Sequence, residues 1–221
     1  MKTFKRLLAA VMAAVIIAGV STPIATEAAT TSVTSVKVDE VGSNYCYISV
    51  GTRGSGSTEA YKYAVYVNGK IVKSGSSEVY VDKGGGSKRY CKVSIPANTA
   101  CAVRVKAKRG GVWSKWSAYV GVVPKLTMTS CTSSGTTIKL KWKKMAGASD
   151  YAVYVKTVNG AWKKVKSVSA SSTGTTISAK SWPLYQNRYI RVIARKKVNG
   201  KYVGSKSWTQ YGPIYRKVVY N

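Results

Sequence analysis

The sequence predicts an all-β protein made of two tandem antiparallel β-sandwiches with seven strands each. A direct repeat is the first reason, because the string YAVYV occurs at 63–67 and again at 151–155. The same order of segments surrounds each copy, so the repeat is a whole domain and not a solenoid unit. Apolar residues then alternate with period two, and no helical period of useful length follows the N-terminal segment. Together these observations indicate paired sheets in each half.

The N-terminal segment is typical of a secretory signal peptide. Lys2, Lys5 and Arg6 precede fourteen apolar or small residues, and further small residues extend to Ala28. A transmembrane anchor is the alternative, but a span needs about 20 apolar residues. We therefore assign 1–28 to the leader and expect a secreted protein that is extracellular or associated with a cell surface.

Asn-Gly pairs and one proline divide the rest of the chain. Asn68-Gly69, Asn159-Gly160 and Asn199-Gly200 lie between alternating segments, a pattern typical of two-residue hairpin turns. About seven short strands in about 90 residues form a two-sheet sandwich. Pro124 blocks the continuation of a strand, so we predict domains at 29–123 and 124–221.

The charge of the chain is strongly positive and unevenly distributed. The sequence has 36 basic and 7 acidic residues. The first predicted domain has 14 basic and 5 acidic residues, a net charge of +9, whereas the second has 19 and 1, a net charge of +18. An acidic polysaccharide or cell-wall polymer is the expected partner, with nucleic acid possible. A spacer with no specific ligand stays open as an alternative.

The residue composition argues against enzymatic activity. The chain has no histidine, which excludes Ser-His-Asp and Cys-His catalysis and zinc sites that contain histidine. A glycosidase needs two carboxylates across the bond, and the second half holds only Asp150. A serine-lysine pair stays possible by composition, but nothing singles one out. We expect a non-enzymatic binding protein without cofactor or metal.

The strand pattern resembles the fibronectin type III domain twice. In the second copy Trp142 stands where that family has its core tryptophan, and inward positions are predicted in three strands: Ile138 and Leu140, Tyr151 and Val153, and Ile190, Val192 and Ala194. The first copy has Val50 at the tryptophan position and Cys101 at the corner tyrosine, which is Arg188 in the second copy. The resemblance implies a scaffold of secreted bacterial surface proteins, and scaffold alone implies no ligand.

The run 113–117, WSKWS, is similar to the WSxWS box of cytokine-receptor fibronectin domains. In that family tryptophan rings and cations of adjacent strands interleave, each contact contributing about 0.5–1 kcal/mol when exposed. Such a cation-π ladder would either stiffen the sheet or bind a ligand. Its predicted members are Arg104, Lys106, Lys108, Trp113 and Trp116.

A second face combines cations with aromatic residues in the more basic half. Cations can meet phosphate or carboxylate while rings stack on bases or sugars. The alternative is an ordinary solvated face with snorkelling lysines. A lysine row at 139, 141 and 143 alternates out of the opposite sheet and favours diffuse attraction. The predicted polyanion-binding residues are Tyr154, Tyr189, Arg191, Arg195, Lys206 and Trp208.

Four cysteines remain, and none has metal-site spacing. Cys46 and Cys101 begin two strands at the same end of the first sandwich in the fibronectin-type topology, facing inward, so we predict a disulfide between them. Export permits such a bond. Four cysteines allow three complete pairings, and Cys131 stands alone in its domain. Reduced, buried thiols throughout are the alternative.

Overall fold

A computed structural model describes residues 31–81, 89–184, 186–205 and 211–214. Within these ranges the regular structure consists of strands in antiparallel sheets, so the predicted all-β sandwich class is confirmed. None of the described residues forms a helix long and apolar enough to cross a membrane. The predicted leader, 1–28, lies outside the described residues.

Nine strand segments build the first sandwich. They are β1 (Ser32–Val41), β2 (Tyr45–Arg53), β3 (Thr58–Val67), β4 (Lys70–Ser77), β5 (Val79–Val81), β6 (Arg89–Ser94), β7 (Cys101–Arg109), β8 (Val112–Trp113) and β9 (Val120–Val122). One sheet has the order β1-β2-β6-β5. The other has the order β4-β3-β7-β8, with β9 also paired to β7.

Eight strand segments build the second sandwich. They are β10 (Met128–Ser134), β11 (Thr137–Trp142), β12 (Asp150–Thr157), β13 (Lys163–Ser169), β14 (Gly174–Ser178), β15 (Arg188–Val198), β16 (Lys201–Gly204) and β17 (Tyr211–Ile214). One sheet has the order β10-β11-β14. The other has the order β13-β12-β15-β16, with β17 also paired to β15.

The strand counts exceed the predicted seven for a local reason. In the first sandwich the last strand is broken into β8 and β9; in the second, β16 and β17 both pair with β15, and residues 206–210 lie outside the described residues. Counted as one strand each, these pairs leave seven strands among the described residues of the second sandwich. The first keeps one extra, the short β5, which pairs with β6.

Two clusters of buried side chains fill the sandwiches, and alternation explains their membership. Every inward residue predicted for β11, β12 and β15 is buried. The core tryptophan, Trp142, packs on Tyr151 with ring centroids 5.1 Å apart, and its indole N–H donates to Ser172 O at 3.1 Å. Val122 belongs to the first cluster and Val123 to the second.

Two of the three Asn-Gly pairs form the predicted tight hairpin turns. Asn68 and Gly69 have φ of 50° and 82°, and Asn199 and Gly200 have 49° and 78°, as a type I′ turn requires. The prediction is wrong for 159–160. Five residues separate β12 from β13 there, so the pair lies within a wider loop.

Contacts between the two sandwiches involve backbone as well as side chains. The Ala100 N–H donates to Ala146 O at 2.8 Å, and the Asn199 side-chain amide donates to Tyr119 O at 3.1 Å. Ala100 also belongs to the buried cluster of the second sandwich. The C-terminal half therefore uses a residue from the N-terminal half to complete its core.

Candidate polyanion-binding faces

The outer face of β3 and β7 carries alternating cations and rings. Strand register places Lys62 directly opposite Lys106. The Lys106 ammonium nitrogen lies 5.3 Å from the ring centroids of both Trp113 and Trp116, and that of Lys62 lies 4.9 Å from Trp113. These distances are within the range of cation-π attraction.

Arg104 extends this row by contacting three rings at once. Its guanidinium carbon lies 4.8 Å from the Tyr119 centroid, 5.2 Å from Tyr66 and 5.6 Å from Trp116. Its Nη2 also donates to Tyr66 Oη at 2.8 Å. We call the whole row the first ladder: Lys62, Trp113, Lys106, Trp116, Arg104, Tyr66 and Tyr119.

Two serines of the WSKWS run hold the tryptophans in this row. Ser114 N donates to Ala107 O at 2.8 Å, while the Ala107 N–H donates to Ser114 Oγ at 3.0 Å. Ser117 makes the same pair of bonds with Val105 at 2.8 and 3.0 Å. The serines thus satisfy the backbone of β7 in the gap between β8 and β9, and the rings of Trp113 and Trp116 lie against the cations of the outer face.

Four of the five residues predicted for the ladder come together, and Lys108 does not lie where we expected it. Its ammonium instead forms an ion pair with Glu59, with Nζ and Oε2 3.4 Å apart. The Gly111 N–H donates to the same carboxylate at 2.9 Å, which lowers the pKa of Glu59. Lys62 contacts Trp113 in its place. The sequence analysis missed Lys62, Tyr66 and Tyr119, although the alternation of the first two along β3 is visible.

The second sandwich has a corresponding row on β12 and β15. The Arg191 guanidinium lies 4.3 Å from the Trp162 centroid and 5.0 Å from Tyr154, and the Lys156 ammonium lies 5.3 Å from both Trp162 and Tyr189. Partial burial lowers the pKa of Arg191. We call this row, Tyr189, Lys156, Trp162, Arg191 and Tyr154, the second ladder.

Arg195 does not contact the rings of the second ladder: its guanidinium pairs with Asp150 and lies 4.4 Å from the ring centroid of Tyr202 on β16. Its Nε donates to Asp150 Oδ1 at 2.8 Å and its Nη2 donates to Oδ2, and both side chains are only about 15% exposed (14% and 15%). This hydrogen bonding raises the pKa of Arg195. The position between the two arginines is Ile193, which is 7% exposed, so the row of charges is interrupted.

The structure therefore changes the membership of the predicted second site. Tyr154, Tyr189 and Arg191 come together, Arg195 is paired with a carboxylate, and Lys206 and Trp208 lie outside the described residues. The wide loop between β12 and β13 supplies Trp162 instead. Strand alternation could not place a loop residue in this way.

The opposite sheet of the second sandwich carries an exposed lysine row. Lys139, Lys141 and Lys143 all point outward along and just beyond β11, as predicted. Their register neighbours are small, with Thr132 and Thr176 beside Lys139. Alternate positions of a strand are about 7 Å apart, so the row spreads its charge along the sheet, which suits diffuse attraction more than a carved site.

All four cysteines are free thiols in the structure, so the predicted disulfide is not formed in it. Cys46 and Cys101 nevertheless share one buried cluster with Cys91. Burial raises the pKa of Cys46, and the nearby Cys101 and Cys91 raise it further. Burial raises the pKa of Cys91 and of Cys101 to about 12. In the described part of the chain, no group of three potential ligands could hold a metal ion.

Comparisons with known proteins bear on the fold alone. A two-domain fibronectin type III segment of chicken tenascin is 16% identical, with 77% of this chain and 95% of that chain covered and a TM-score of 0.37. The FN1–FN3 domains of chicken CNTN1 are 14% identical, with 76% and 62% covered and a TM-score of 0.28. No protein-family model and no curated protein matches the chain.

Proposed function

We propose that this chain is a secreted, non-enzymatic basic protein that adheres to an acidic surface polymer or glycan, mainly through its second sandwich. The observation that carries the proposal is the ion pair formed by Asp150, the one acidic residue in that half of the sequence. Asp150 is already paired with Arg195, so it neutralises none of the other eighteen basic residues. A domain with so much uncompensated charge attracts polyanions strongly at low ionic strength.

The second ladder offers the more specific part of this surface. Arg191 and Lys156 lie beside Tyr154, Trp162 and Tyr189, so charge and ring faces are adjacent on one side of the sheet. Acidic sugars and nucleotides present anionic groups next to rings, which is the matching arrangement. Polymer contact at this face would be local, whereas contact at the lysine row would be diffuse.

A spacer role is the second candidate, and the first ladder favours it. There the cations are already surrounded by the protein's own rings, with Arg104 contacting three of them. Such contacts stiffen a sheet without any ligand. The first sandwich would then hold the second away from its point of attachment.

The experiment measures binding of the chain from Ala29 onward to immobilised polygalacturonate, polyphosphate and duplex DNA at 0.01 M and 0.15 M salt. The screening length falls from about 30 Å to about 8 Å over this range. With about four phosphate-like contacts, affinity should fall by three to four decades. Absence of binding to all three at 0.01 M salt would leave the spacer role as the better explanation.

Charge reversal then distinguishes a local site from diffuse attraction. Lys156→Glu with Arg191→Glu and Lys139→Glu with Lys141→Glu each change the charge by four units on one face. Arg195 is left intact because a glutamate there would face Asp150. We expect the first pair to weaken binding about tenfold more than the second, since local contacts decay steeply with distance. Equal losses of affinity in the two variants would mean that the second ladder is not a local polyanion-binding site.

A further inference from the structure

The second sandwich is open along one side, between the edges of β13 and β14. A groove of about 670 Å³ and an adjoining one of about 240 Å³ meet there, and both are lined by Val155, Val165 and Trp182. Ligand sites for small molecules commonly occupy about 300–1,000 Å³. The size of this opening is therefore in the range of a binding site.

Both sandwiches have an opening on this side, and in the first the segment at the short β5 contributes Glu78 and Tyr80 to the lining of a cavity of about 530 Å³. In the first sandwich, β5 pairs with β6. In the second, only residues 170–173 separate β13 from β14, too few for another strand. The Lys166 ammonium bridges β13 and β14 by donating to Thr176 O at 3.0 Å, as the Lys73 ammonium of the first sandwich donates to Ser94 Oγ at 2.6 Å.

Cations occupy positions on the inner side of the sheet at this opening. Lys163 is paired with Val155 and Lys166 with Val153, and both valines are buried. Residues directly opposite each other in a ladder point to the same face, so both lysines point toward the groove and not toward the outer face. Arg188, two residues before the buried Ile190, has the same inward parity and also lines the groove.

Apolar and aromatic surface lies between these cations. The Arg188 guanidinium lies 5.9 Å from the Trp182 ring centroid, and the half-buried Trp182 packs against the core. Val165, at the extra position of a β-bulge, is 52% exposed. Among the described residues that line the two cavities there is no carboxylate. The groove thus combines an apolar wall with four cationic residues, since Lys156 of the second ladder also lines the larger cavity.

We propose that this groove binds acidic sugar units of an anionic polysaccharide. The apolar face of a pyranose ring packs on Trp182 and Val165, and its anionic group meets Lys163, Lys166 and Arg188. This inference rests on the proposed function and names the class of polymer. A polysaccharide fits better than a ringless polyanion, because cations alone would not need the apolar wall that the groove provides.

The test measures the affinity of an oligogalacturonate and of a polyphosphate of equal charge by calorimetry, at 0.15 M salt. Lys163→Ser with Arg188→Ser removes two charges from the groove. The matched control, Lys139→Ser with Lys141→Ser, removes two charges from the outer face of the opposite sheet. We expect the groove pair to raise the Kd for oligogalacturonate about tenfold or more, and the control about twofold, because charge-assisted hydrogen bonds are the strong ones.

A third variant, Val165→Ser, separates sugar from charge. The Val165 side chain is half-exposed, so this variant should leave the melting temperature nearly unchanged. We expect it to lower the affinity for oligogalacturonate about threefold and to leave the affinity for polyphosphate unchanged. An equal loss of oligogalacturonate affinity in the groove variant and the control variant would show that the groove is not the binding site. Equal effects of Val165→Ser on both polymers would overturn the sugar assignment. Failure of the unaltered chain to bind either polymer, even at 0.01 M salt, would instead refute the proposed function.

Discussion

Replacing Arg104 with methionine should destabilise the first sandwich substantially without changing polyanion binding. The three ring contacts of Arg104 contribute about 0.5–1 kcal/mol each, and its hydrogen bond to Tyr66 contributes about 0.5–1.5 kcal/mol. Methionine keeps most of the packing volume but removes the charge and the donor. We therefore expect the free energy of unfolding to fall by about 2–4 kcal/mol.

Urea unfolding, followed by circular dichroism, measures this loss. Lys115→Met is the control, since Lys115 is exposed within the WSKWS run and its replacement should stay within about 0.5 kcal/mol. Both variants lose one charge, so their affinity for polygalacturonate should remain equal within about twofold. A loss of stability below about 0.5 kcal/mol for Arg104→Met would refute a stiffening role of the first ladder. A selective loss of polygalacturonate affinity would assign it to ligand binding.

Four further outcomes can be measured. Residues 124–221 alone should melt cooperatively but at a lower temperature than in the whole chain, because the contact with the first half is lost; absence of a transition would contradict independent folding. Oxidised protein should carry a Cys46–Cys101 disulfide, detected by mass spectrometry and contributing about 2–5 kcal/mol; alkylation of both Cys46 and Cys101 in unreduced, denatured protein would exclude it. In reduced protein, the free energy of unfolding should be constant up to about pH 9 and fall as pH rises toward 12. Burial raises the pKa of Cys91 and Cys101 to about 12 in the folded state, so the unfolded chain loses these protons at lower pH. The slope is about 1.4 kcal/mol per pH unit for each thiol, and Cys91→Ala should make it shallower. Asp150→Asn should strengthen polyanion binding at low salt by freeing its arginine partner; unchanged affinity would show that this arginine takes no part.

Much of the architecture follows from local pattern. Alternation identified the buried rows of β11, β12 and β15, because successive side chains of a strand point to opposite faces. The resemblance of the WSKWS run to the WSxWS box placed both tryptophans beside Arg104 and Lys106, whereas alternation alone would put positions three apart on opposite faces. Charge composition also identified the more basic half without any coordinates.

Pairings between distant segments required the tertiary structure. Lys62 lies 44 residues before Lys106, and only the register between β3 and β7 makes it a ladder member in place of Lys108. The ion pair of Asp150 with Arg195 joins residues 45 positions apart. Composition counts such charges but does not show which of them neutralise each other.

The sequence by itself determined the sandwich fold, the inward rows and the excess of positive charge, because each depends on residue type and on a period of two along a strand. Only the tertiary structure decided which cations contact rings, which one is paired with Asp150, and that Lys163 and Lys166 point into an open side of the second sandwich. Those features depend on strand register, on a bulge and on the conformation of a wide loop. Each is set by how separate segments meet in space, which local alternation does not encode.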